Sequence, residues 1–204
     1  MPRLFIALPF NEANSKENQK EQGSSGASPL NFVYTYLKNY NKELKVVSPE
    51  NYHMTLKFFG ECSNKTAEKI KDNFRNISVK KKFFYKLSGL GVFPDLKKAN
   101  VIWAGFKTDE SLINKIINDI DNFASGIGFK KEKRQFMPHL TLARVRKGMT
   151  LNENLRQYIV ENKEVFFFES VFKRIVLFES ELKSDGPVYS ELQSVELTQA
   201  PADE

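Results

Sequence analysis

His53-Met-Thr-Leu-Lys-Phe-Phe59 and His139-Leu-Thr-Leu-Ala143 are the two stretches on which the reading of this chain turns. They hold the only two histidines among 204 residues, each followed by Thr two places on and Leu three places on. Both alternate as strands do, and on a strand residues i and i+2 share a face. His53 and Thr55 therefore face one way, and Met54, Leu56 and Phe58 the other. His139 and Thr141 oppose Leu140 and Leu142 in the same manner. The apolar sets belong in a core and the His/Thr pairs in a cleft. Imidazole titrates near neutral pH, so two of them can act together as general base and general acid, with a bell-shaped pH dependence around neutrality. The threonine hydroxyls can donate to phosphoryl oxygens, which completes a toolkit for in-line attack at phosphorus without metal.

Working outward from these strands, the chain repeats itself. Each half runs strand, helix, strand with His-x-Thr-Leu, helix, long strand, over Met1–Phe93 and Asn100–Leu197. In the first copy the elements are a strand Arg3–Leu8, an amphipathic helix Leu30–Leu44, the His53 strand, a helix Ser63–Asn76 capped by Ser63, and a strand Phe83–Phe93. In the second they are a strand Asn100–Lys107, a helix capped by Thr108 and ended by Gly126 and Gly128, the His139 strand and a short helix Leu151–Val160. Strands Val165–Phe168, Val171–Phe178 and Tyr189–Leu197 follow. Residues 11–28 are polar and read as a flexible insertion in the first copy, with helical turns near Glu12, and 198–204 as a mobile tail. A duplicated unit of this kind packs as two lobes about a cleft, so 1–204 reads as a single bilobal α+β domain whose lobes are formed by 1–93 and 100–197.

Composition bounds the rest. The net charge of +6 mildly favours anionic partners such as nucleotides and RNA. One cysteine, Cys62, excludes an internal disulfide and reads as an inert thiol; with two histidines it leaves too few soft ligands for a zinc site. No apolar run approaches the roughly 20 residues that span a bilayer. There is no phosphate-binding loop or dinucleotide glycine pattern. These features point to a cytoplasmic protein.

The paired motifs resemble the two signatures of the 2H phosphoesterase superfamily, and the chain more specifically resembles the RNA 2′,3′-cyclic 3′-phosphodiesterase (2′-5′ RNA ligase) family. Pro49–Glu61 and Phe136–Arg144 look like its two active-site blocks. Arg3–Leu8, Gly91–Pro94, Trp103–Gly105 and Gly186–Tyr189 support the match, and the insertion 11–28 departs from it. The resemblance implies two antiparallel sheets lining a central cleft with helices outside. It implies His53 as proton donor to the leaving oxygen and His139 as the base that activates water. Thr55 and Thr141 would hold phosphate oxygens, and Arg144 would contact the phosphate or stack on the base. Strict alternation puts Arg144 on the wrong face, so that role requires a twist or bulge. No metal and no cofactor is implied, and the expected protein is a monomer acting on RNA or nucleotide 2′,3′-cyclic phosphate ends to leave a 2′-phosphate, with weak reverse 2′-5′ ligation.

Other residues carry two readings. Lys57 continues the His53 face and either touches an RNA backbone or is solvated. Lys130, Lys131, Lys133 and Arg134 are either a solvated run or a basic cleft rim. Phe5 reads as core rather than a base-stacking ring, and Trp103 as core. The competing functions are a 2H enzyme for 2′,5′-linked oligonucleotides or small cyclic nucleotides, and an RNA-binding module without turnover.

Overall fold

Within the strand Arg3–Pro9 the run Leu4–Leu8 is apolar throughout because it is buried on both faces. In the computed structural model, which describes residues 1–10, 28–132, 135–183 and 186–198, this strand (β1) lies between β3 (His53–Glu61) and β8 (Arg174–Leu182), with β9 (Pro187–Glu196) beyond. Leu4, Ile6 and Leu8 join the main core, while Phe5 and Ala7 form a second cluster with Val176 and Phe178. The other sheet has five strands in the order β2 (Leu44–Val46), β6 (His139–Val145), β5 (Val101–Thr108), β4 (Phe83–Phe93) and β7 (Phe166–Phe172). Every pairing between these strands is antiparallel.

The two repeats cross over. In one sheet β3, β1 and β8 are neighbours, and in the other β6, β5 and β4. Each repeat thus places its first strand and its histidine strand in one sheet and gives its last long strand to the other. The expectation that 1–93 builds one lobe and 100–197 the other is corrected by this exchange. The reason is backbone pairing: a buried strand such as β1 carries N–H and C=O groups along both edges that need partners, and β8 supplies the second edge. Helices α1 (Pro29–Lys38) and α4 (Glu153–Glu161) pack on the five-stranded sheet. Helix α3 (Glu110–Gly126) packs on β3 and against α2 (Asn64–Phe74). Their outward placement leaves the other face of each sheet to the cleft.

Local signals set the helix ends. Ser28, Ser63 and Asn152 each accept a backbone N–H bond as N-caps, and losing such a cap costs about 1 kcal/mol. The cap of α3 is Asp109, whose carboxylate accepts from the amides of Ser111 and Leu112. Thr108 ends β5 instead, its hydroxyl donating to the Phe84 carbonyl at 2.7 Å. The first helix stops at Lys38, and Leu44 begins β2 rather than ending a helix. The break between the late strands falls at Lys173, not at 169–170, because Ser170 is a buried inward position of β7. Thr198 is held by a bridge to Lys81. The expected insertion, but for Ser28, and the tail beyond Thr198 lie outside the described residues, as do Lys133 and Arg134. Among the described residues no helix is long and apolar enough to cross a membrane.

Candidate active site

Strands β3 and β6 approach each other where the two sheets meet, and a cleft of about 630 Å³ opens there. His53, Thr55, Thr141 and Arg144 line it. His139 lies two residues before Thr141 on the same face of β6, paired with Gly105, its ring meeting Phe93 edge-on at 5.0 Å.

The two imidazoles are held in the same way. His53 Nδ1 lies 2.7 Å from the carbonyl of Asn51, and His139 Nδ1 lies 2.8 Å from that of Met137. A carbonyl only accepts, so in each ring the Nδ1 proton is committed and Nε2 is left for chemistry. The short turn Pro49–Asn51 presents the first of these carbonyls, and the Asn51 side chain donates to the Pro187 carbonyl at the start of β9. Phe5 and Tyr189 box the His53 ring at 5.0 and 5.4 Å. Burial among them pushes the His53 pKa down to about 4, against the pull of the Asn51 carbonyl and with help from the charge on Arg144 and the neighbouring His139. Burial also lowers His139, and Arg144 adds to it. Lowering of both pKa values favours the neutral rings at pH 7, and the bell expected around neutrality shifts to the acid side.

Arg144 reaches the cleft by a β-bulge. In the β5–β6 ladder Ile102 faces Ala143 and Trp103 faces Thr141, so Leu142 is the extra residue. Leu142 and Ala143 are both buried, and Arg144 returns to the face of His139 and Thr141. The first copy has the same irregularity: Ile6 faces Lys57 and Ala7 faces Thr55, with Leu56 skipped. There the bulge turns Lys57 away. Its ammonium binds Asp121 of α3 at 2.6 Å, so the reading that Lys57 continues the His53 face is corrected. Phe58 takes the place equivalent to Arg144, lining the cleft with half its surface exposed and the Arg3 guanidinium 5.0 Å from its ring centre.

Sequence reasoning did not single out Arg3, Lys45 or Phe58. With Arg144, Arg3 and Lys45 make three cations around the cleft, and among the described residues no carboxylate lines it. Lys45 stands directly opposite Arg144 in the β2–β6 ladder. Like charges in register destabilise a sheet, and an anion bound between the two would relieve that cost. Lys130 and Lys131 lie beside α3: the Lys130 carbonyl accepts from Lys57, and the Lys131 ammonium donates to Asn122. Phe5 is buried as expected. Trp103 is not; it lies on the cleft side of β5, flat against Gly91, where an added Cβ would come within 2.2 Å of the indole. The Cys62 thiol is buried, and burial raises its pKa.

The fold and the paired histidine strands define a phosphoesterase of the two-histidine class. By sequence the chain belongs to the LigT-like phosphoesterase family, whose model matches residues 25–103 and 107–189. It is 36% identical to an RNA 2′,3′-cyclic phosphodiesterase of Methanocaldococcus jannaschii over 92% of this chain and 96% of that one. The protein of the same name from Aquifex aeolicus is 35% identical over 72% of this chain and 78% of its own. Among solved structures, TT0787 of Thermus thermophilus superposes with a TM-score of 0.73 at 23% identity, over 97% of this chain and 98% of that one. E. coli LigT complexed with 3′-AMP gives 0.64 at 20% identity, over 98% of this chain and all of its own.

Proposed function

We propose that this protein opens ribose 2′,3′-cyclic phosphates at RNA or nucleotide ends, leaving a 2′-phosphate, and does so as one bilobal unit without a metal. The observation that carries the reading is the pair of imidazoles, each with Nδ1 tied to the carbonyl two residues earlier, on two strands that meet at a cationic cleft. The names of the relatives agree with it. His139 takes a proton from water as its oxygen bonds to phosphorus. His53 gives a proton to the ribose 3′-oxygen as the P–O3′ bond breaks. Thr55, Thr141 and Arg144 stabilise the charge that builds on the phosphoryl oxygens. The exposed Phe58 ring offers a stacking surface to the nucleobase, which fits weak base preference because every base has a π-face. His53 must gain its proton when substrate arrives, and the anionic phosphate supplies the reason: a negative charge nearby raises an imidazole pKa. The lone cysteine supports a cytoplasmic setting. Hydrolysis of the four 2′,3′-cyclic nucleotides in EDTA, with the product isomers assigned by phosphorus NMR, tests the reading. A 2′-phosphate alone is expected; a mixture of isomers or a strict need for Mg²⁺ overturns it.

A further inference from the structure

We propose that the five-stranded sheet carries a track for single-stranded RNA that runs from His139 to the far edge of β7 and holds the nucleotides preceding the reactive end. The proposal rests on the reading above, that the cleft takes the 2′,3′-cyclic terminus.

The ladder registers place the track. His139 pairs with Gly105, Gly105 with Ser88, and Ser88 with Phe166, so these four form one row across the sheet on the catalytic face. The row spans three strand spacings, roughly 14 Å. Its middle is a low floor of Gly and Ser, and its end is a phenylalanine ring 54% exposed. The next row on the same face is Lys107, Lys86 and Glu169. Beyond it lies Phe84, at 77% exposure the most open aromatic side chain among the described residues. A cavity of about 580 Å³ includes Phe84, Lys86 and Lys107 with Lys81 and Lys82 in its wall.

Three features point to a polyanion with flat rings. Lys86 and Lys107 are direct cross-strand partners, a like-charge arrangement that costs stability when nothing neutralises it. Glu169 approaches Lys86 at 3.4 Å, and Asp109 is engaged as the cap of α3; among the described residues no carboxylate pairs with Lys107. Phe84 and Phe166 stand on a strand face beside these cations, whereas their neighbours Phe83, Tyr85 and Phe167 face the core. Basic side chains alternating with exposed aromatics on a sheet form the platform on which single-stranded nucleic acid stacks. The platform is continuous with the catalytic strand through Gly105, so a chain whose 3′ end lies at His139 has its preceding residues over it.

The test compares uridine 2′,3′-cyclic phosphate with an eight-nucleotide RNA of the same 3′ end, using the full chain, Lys86→Ala/Lys107→Ala and Phe84→Ala/Phe166→Ala. All four positions are away from the catalytic groups, and thermal melts check that each variant folds. The intact protein should prefer the octamer by at least about tenfold in kcat/KM at low salt. Each double variant should lose about fivefold or more on the octamer, the low end of what one stacked base contributes, and stay within twofold on the mononucleotide. Binding of the octamer carrying a plain 3′-phosphate is measured in parallel by fluorescence anisotropy. There the lysine variant should flatten the salt dependence by about 1.4 in log–log slope, two single-strand phosphate contacts. Equal losses on both substrates, or an octamer preference that survives both variants, overturns the track. Failure of the intact protein to turn over either substrate overturns the hydrolase reading instead, and the binding measurement still decides the track.

Discussion

Strands β3 and β6 are the same device built twice with different outer residues. Each opens with a histidine tied through Nδ1 to the carbonyl two residues back, places a threonine beside it, and then bulges at a leucine. After the bulge they part. β6 continues with buried Ala143 and cleft-facing Arg144; β3 continues with Lys57, ion-paired to Asp121, and cleft-facing Phe58. The centre of the cleft is therefore pseudo-symmetric, as the proposed pair of proton transfers across one phosphorus requires. Its flanks are not, and under the proposed function an asymmetric flank would orient a substrate whose one side is charge and whose other side is a ring.

The comparison breaks first at the histidines. His53→Ala and His139→Ala should each lower kcat by 10²–10⁴-fold, and the double variant should be little worse than either single because the two act together. Steady-state rates on a cyclic mononucleotide decide this, and near-normal turnover in either single variant ends the assignment. Next come the flanks. Arg144→Ala should cost about 10²–10³-fold in kcat, as for loss of a donor to developing charge. Phe58→Ala should act chiefly on KM, by roughly 5- to 100-fold, the range of one base stack. A substrate lacking the base should not notice the second change.

The pH profile sharpens the same contrast. kcat/KM reports the free protein, where His53 lies at about 4 and His139 below its usual 6.5. It should therefore peak on the acid side of pH 6.5, while kcat should hold to higher pH because bound phosphate raises His53. Arg144→Ala should move both limbs upward, since its charge depresses both rings. Stability follows the folded-state lowering: it is full above pH 6.5 and falls as pH drops toward 4, where the unfolded chain binds protons that the buried rings refuse. Chemical denaturation at pH 7 and 5 measures this. The smallest catalytic effect belongs to Lys57→Met, with kcat within twofold, although the protein should lose about 1.5–3 kcal/mol with a charge-assisted hydrogen bond gone.

Much of this arrangement was legible in residue order. The His-x-Thr spacing, the Ser63 cap, the duplicated element order and the apolar strand Arg3–Leu8 all rest on local sequence pattern. What escaped depends on partners distant in the chain. β2 is three residues long and exists through pairing with β6, so Lys45 carried no signal, and Tyr40 and Leu44 kept a helical period past the true stop at Lys38. The bulges at Leu56 and Leu142 insert an apolar residue among apolar residues, so alternation assigned Lys57 to the cleft and Phe58 to the core. The buried pair Leu142-Ala143 was the one available hint that the face had been reset. The strand exchange between repeats had no local signature, because any strand can pair with a free backbone edge.

That exchange has a kinetic consequence. β1 finds β3 about 50 residues downstream, but its other neighbour pairs Phe5 with Phe178. At about 5–20 residues per second of synthesis, roughly 6–24 s separate the appearance of Phe58 and Phe178, the two partners of Phe5. Throughout that interval the nascent chain presents Leu4–Leu8 with one backbone edge unpaired, next to the strand that carries His53. Aggregation competes with folding at that edge, so slow translation should reduce the yield of native protein more than an amino-acid change on the surface does, and a chaperone that covers an apolar strand near the N-terminus should restore it.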